Sequence, residues 1–160
     1  MMKRLFTFLF ALVAFSSLAQ TQVRIINEAP GIDYEFKRCI CNGKSAFIDM
    51  TITNNRSKDF TNVCFEGLSL VAYDDEGNVY KNGDDSDGEH KITKVSVGAN
   101  SFYPNWGAGE TMGFDIPEDI TLKIRISFVG VDSYATMFKR VDMVIGGAKL
   151  SLRDVPITRE

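Results

Sequence analysis

Histidine is almost missing from this chain, and its scarcity excludes more chemistry than any single residue present supplies. His90 is the only one in 160 residues. A hydrolytic triad would need it as the base between a nucleophile and an orienting carboxylate, and no Gly-x-Ser-x-Gly elbow is there to carry the nucleophile. One histidine also falls short of the histidine-based zinc sets, so His90 reads as a polar-loop residue. Paired carboxylates can do glycosidase chemistry without histidine, but they need a separation of about 5 to 9 Å that sequence spacing does not encode. The expectation is a protein that is not an enzyme.

Cysteine is also sparse. Cys39, Cys41 and Cys64 form neither a Cys-x-x-Cys redox pair nor a zinc-finger spacing. On one strand face, Cys39 and Cys41 would stand about 6 to 7 Å apart, at or beyond disulfide reach. Either of them with Cys64 is the better pairing, and Cys41 with Cys64 is the bridge we take forward, leaving one buried thiol. The four prolines, Pro30, Pro104, Pro117 and Pro156, fall in loops or near strand ends, where a missing amide costs least. Basic charge shows no excess, with 18 Lys and Arg against 21 Asp and Glu for a net of -3. Nucleic acid and anionic membrane both reward a basic patch, and both are disfavoured as partners.

No apolar run reaches a transmembrane length. The longest, Leu5 to Phe15, has eleven residues, follows Lys3 and Arg4, and gives way to Ser16, Ser17, Leu18, Ala19 and Gln20. That order is a secretory signal, with cleavage expected between Ala19 and Gln20. Glutamine at position 20, in place of an anchoring cysteine, favours soluble export to the periplasm or beyond, with no insertion of the mature chain. Removal of residues 1–19 leaves 141 residues with a net charge of -5, enough for one domain with its own core.

What remains reads with period two. Ala46, Ile48, Met50 and Ile52 alternate with Phe47, Asp49, Thr51 and Thr53, and Leu122, Ile124, Ile126 and Phe128 alternate with Lys123, Arg125, Ser127 and Val129. One apolar face per strand predicts two sheets packed through those faces. Asn42-Gly43 predicts a hairpin turn between 34–41 and 44–54. A second hairpin is expected at Asp74 to Asn78, between Leu68 to Tyr73 and Val79 to Lys81, and a third at Gly146-Gly147. Further strands are expected at 91–97, 110–116, 139–145 and 149–157, with a short helical turn near Ser133 to Met137. The predicted fold is an all-β antiparallel β-sandwich of about seven to nine strands over 34–160, preceded by an N-terminal segment, 20–33.

The run Ile48 to Asn55, then Tyr73 to Tyr80, then Gly109-Glu110-Thr111 and Gly113 to Pro117, resembles immunoglobulin-like domains of unknown function in exported bacterial proteins and lipoproteins. Leu150 to Ile157 resembles their last strand. The resemblance covers about residues 34 to 157 and implies an immunoglobulin-like sandwich. It carries no catalytic residue, because the family shares no active site.

Two clusters are candidate sites. Asp84, Asp85, Asp87 and Glu89 offer hard oxygen donors in an acidic insertion and invite calcium, although no EF-hand register fits them. Phe102, Tyr103 and Trp106 put three aromatics in five residues, and with Tyr80 they form a candidate ligand-binding platform; the competing expectation is a hydrophobic plug with Trp106 packed inside. The leading expectation is therefore a non-catalytic exported interaction module that binds a protein or cell-surface component through its loops and one sheet edge. The alternative is a carbohydrate-binding module with calcium as an optional structural ion.

Overall fold

The computed structural model describes residues 22–81, 89–103 and 112–160. Within them the protein is all-β. Its thirteen strands are β1 (Arg24–Asn27), β2 (Ile32–Asn42), β3 (Ser45–Asn54), β4 (Phe60–Phe65), β5 (Val71–Asp74), β6 (Val79–Lys81), β7 (Lys91–Val97), β8 (Asn100–Phe102), β9 (Met112–Ile116), β10 (Thr121–Val129), β11 (Met137–Ile145), β12 (Ala148–Pro156) and β13 (Thr158–Arg159). No helix among the described residues is long and apolar enough to cross a membrane.

The hydrogen-bonded path runs β1-β12-β11-β5-β6-β7-β10-β3-β2-β13 as one mixed, curled sheet. β4 and β9 pair with each other and join through β11, and β8 joins through β7. Two sheets were expected, but the short β6 bridges β5 and β7 and makes the ladder continuous. The strand count exceeds the expected seven to nine because β1, β4, β8 and β13 fall outside the expected strands, and of these only β4 is longer than four residues. β1 falls in segment 20–33, yet it pairs with β12, and its Ile25 packs against the core.

The two most regular alternations lie side by side. β3 and β10 pair antiparallel with Ile48 opposite Ile126 and Met50 opposite Ile124, so one register turns both apolar faces inward. On β3's other side, Cys39 of β2 lies opposite Ile48 and Phe36 opposite Met50. Leu150 and Leu152 of β12 and Val141 and Met143 of β11 join the same buried cluster from the other end of the path, so the curl encloses one core.

The turns follow their residues, with two adjustments. In the first hairpin Asn42 is paired with Ser45, so the central residues are Gly43 and Lys44 rather than Asn42 and Gly43. Only Gly43 has a positive φ, +59°, as the first position of a type II′ turn requires. Gly146 and Gly147 both have positive φ between Ile145 and Ala148, the type I′ arrangement. The helical turn expected near Ser133 is instead a tight turn, closed by the Ala135 amide donating to the Asp132 carbonyl at 3.2 Å. The segment 67–69 is a 3-10 turn, so β5 starts at Val71 rather than Leu68.

Asn54 ends β3 fully buried. Its Nδ2 donates to the carbonyls of Lys58 and Ile116, and its Oδ1 accepts from the Arg56 amide, so one side chain ties two loops to the strand end.

Candidate functional site

The structure separates the four candidate platform residues. Tyr80 is fully buried; its hydroxyl donates to Asp74 Oδ2 at 2.8 Å, and its ring packs edge-on to His90, Phe128 and Phe138. Burial, and then the Asp74 carboxylate, push its hydroxyl pKa well above the usual tyrosine range. Phe102 is also buried, between Phe65 and Phe114. Tyr80 and Phe102 are therefore core residues and cannot present rings to a ligand in this conformation. Tyr103 is 51% exposed, with Lys94 Nζ 5.3 Å from its ring centre. Trp106 lies outside the described residues.

Of the candidate calcium ligands, Asp84, Asp85 and Asp87 lie outside the described residues. Glu89 is described and forms an exposed ion pair with Lys44 at 3.1 Å. Among the described residues no cluster of three or more metal-ligating side chains occurs.

The expected bridge between Cys41 and Cys64 is not formed; all three cysteines are free thiols. The topology explains this. Cys41 sits on β2, where its Sγ meets the Gly43 carbonyl and Arg159 Nη1 at 3.4 Å each, while Cys64 sits on β4 near the Asn62 carbonyl. No ladder joins β2 to β4. Burial pushes the Cys39 thiol up to about 12, which makes it a poor nucleophile. His90 is held by the Gly130 carbonyl at Nδ1, 2.6 Å away, in a structural contact.

Sequence reasoning missed the outward side of β2, β3 and β10. A shallow groove there is lined by Asp33, Glu35, Lys37, Thr51, Thr53 and Thr121, with Asn55 at one end and Tyr34 below. Thr53 and Thr121 face each other at 2.8 Å, and Asn55 Nδ2 donates to Asp33. Beside the groove, Asp49 accepts from Arg38 Nε at 2.8 Å and from Arg125 Nε and Nη2 at 2.6 and 2.8 Å. Both guanidiniums also lie against Phe47, at 5.5 and 4.2 Å from its ring centre. Burial alone would raise the Asp49 pKa, but the bonds and charges of Arg125 and Arg38 outweigh it and hold the carboxyl below its usual range. The groove lining contains no histidine or cysteine, so it offers hydrogen bonds and charge rather than a nucleophile with a base.

The groove runs along an open edge. Beyond β2, on the side away from β3, only β13 pairs with it, at Ile40 and Cys41, so among the described residues Ile32 to Cys39 have no strand partner there. A bulge at Lys37 and the charges of Asp33, Glu35 and Arg38 guard that edge. The Asn42-Gly43 turn signal is what placed a strand over 34–41, but nothing local marks it as an edge.

Comparison of the chain with protein-family models, with curated proteins and with solved structures returns no match.

Proposed function

We propose that the protein is a non-catalytic, exported interaction module whose open β2 edge and adjoining polar groove dock a protein or cell-surface component. In this reading the curled sheet is an immunoglobulin-like sandwich, and residues 1–19 are a signal removed between Ala19 and Gln20. The carrying observation is that, among the described residues, Asp33 to Cys39 have no strand partner on the side of β2 away from β3, beside the groove. An open edge offers main-chain donors and acceptors to an incoming strand, and side-chain pockets next to it add selectivity. The guarding charges fit this use, because they discourage indiscriminate pairing while leaving a matched partner free to bind.

The carbohydrate-platform alternative loses support from the burial of Tyr80 and Phe102. Site-specific photo-crosslinking in the native envelope tests the leading reading. Probes replacing Lys37 or Thr51 should give one discrete protein adduct, and a probe replacing Lys139, exposed on β11, which shares no ladder with β2 or β3, should not. Equal adducts from all three positions would refute the assignment. Glycan-array binding abolished by Trp106→Ala, with the fold retained, would favour the platform instead.

A further inference from the structure

The register of β1, β12, β11, β5 and β6 assembles a row that no stretch of sequence contains. Arg24 lies opposite Arg153, Arg153 opposite Arg140, Arg140 opposite Tyr73, and Tyr73 opposite Val79. Five adjacent strands thus present three arginines, a tyrosine and a valine in line. Leu152, Val141, Ala72 and Tyr80, which flank the row on one side, are buried, as are Val155, Phe138 and Asp74 past Lys139 and Asp154 on the other, which places the row on the outward face.

Like charges directly opposite one another destabilise a sheet, and an arginine cannot relieve the repulsion by losing its proton. The neighbouring acids compensate only in part. Arg140 pairs with Asp142, and Arg24 Nη2 pairs with Asp154 at 3.4 Å. Arg153 has no ion pair among the described residues, and Asp142 is shared with the Ser151 hydroxyl. On the face of β2, β3 and β10 the corresponding row runs Arg38, Asp49, Arg125, alternating in sign and closing on itself. The arginine row is therefore a local excess of positive charge on an acidic chain.

We propose that this row binds a linear acidic polysaccharide, its carboxylates received by the arginines around Arg153, with Tyr73 stacking on a sugar ring. Adjacent strands stand about 4.8 Å apart, so the row sets its three arginines at a regular spacing across the strands, suited to a polymer that carries a carboxylate on every ring. An extended acidic peptide fits worse, because it brings no sugar ring for Tyr73 to stack on. A membrane surface fits worse still, since it would repel the acidic remainder of the molecule. Guanidinium forks match carboxylates with two parallel bonds, and Tyr73, 38% exposed beside Arg140, supplies the flat apolar surface that a ring stacks on. The site lies on different strands from the β2 edge and does not depend on that reading.

The test is calorimetric titration of the mature chain, residues 20–160, with short polygalacturonate. Saturable binding is expected, weakened about tenfold or more by Arg153→Gln or Tyr73→Ala, weakened by added salt, and unchanged by Lys123→Gln on the other face. Fully methyl-esterified polymer, which lacks the carboxylates, should not bind. Absence of binding by the unsubstituted protein would overturn the proposal. So would undiminished binding by a folded R24Q/R140Q/R153Q variant, or equally tight binding of polyglutamate or phosphatidylglycerol vesicles. Lys37 cross-linking measured in the same triple variant should persist, so failure of either reading is visible apart from the other.

Discussion

Asp74 accepts hydrogen bonds from the amides of Glu76 and Asn78, from Asn78 Nδ2 and from the Tyr80 hydroxyl, all within 3.1 Å and away from water. A buried carboxylate is tolerated because its oxygens are so fully served. Tyr80→Phe removes one charge-assisted donor without changing the ring packing, and should cost about 1.5 to 3 kcal/mol in urea unfolding. A cost near zero would mean that the hydroxyl contributes nothing to the hairpin. Asp49 makes a pH-dependent contribution. Its pKa is lowered on folding, so its stabilisation is complete above the ordinary carboxylate value of about 4 and is lost as pH falls through the lower folded value. Asp49→Asn should therefore be less stable than the parent at pH 7, and the gap should narrow under acid. Asp75, lowered by its bonds from Thr136 and Met137 against its own desolvation, remains in the variant and accounts for residual acid sensitivity.

Turns are the elements most visible in the sequence, because a positive φ demands particular residues. Gly146 and Gly147 announced their hairpin, yet their surroundings differ in a way only the fold reveals. A Cβ on Gly147 meets nothing within 4 Å, whereas one on Gly146 would lie 2.7 Å from Phe60 Cζ and 3.3 Å from Val63 Cγ1. Gly147→Ala should cost about 1 to 2 kcal/mol for backbone conformation alone. Gly146→Ala should exceed it by about 1 to 3 kcal/mol, because β4 must also give way. Equal unfolding midpoints for the two variants would show that β4 moves aside freely. Strand alternation was legible in the same manner for β3 and β10, whose inward and outward sets match their burial closely. The one-residue shift of the first turn was not legible, since Asn42 suits a turn centre and is kept out only by its pairing with Ser45.

At the scale of the whole molecule, long-range order is what the sequence withheld. Arg24 reaches Arg153 only through pairing across more than a hundred residues, Arg140 joins them through the β11–β12 hairpin, and the net charge of -3 conceals all three. The open β2 edge likewise depends on how far β13 extends. β13 also governs the thiols. Arg159 donates to the carbonyls of Asp132 and Ala135 at 2.5 and 2.8 Å and lies against Cys41 Sγ, so the chain end caps the side of the core that holds Cys41. Cys39 and Cys41 are 2% and 1% exposed, while Cys64 is partly open. A thiol reagent added to the native protein without reductant should label Cys64 alone, and all three cysteines should react in denaturant. A single reactive thiol in denaturant would reveal a bridge and contradict the separation of β2 from β4. Arg159→Ala should uncover Cys41 and add a second reactive site under native conditions, with Cys39 still slow because it lies further along β2, away from the Arg159 cap. If Cys39 and Cys41 became reactive together, opening would involve the whole sheet rather than its last strand, and β13 would act as a clasp on the curl.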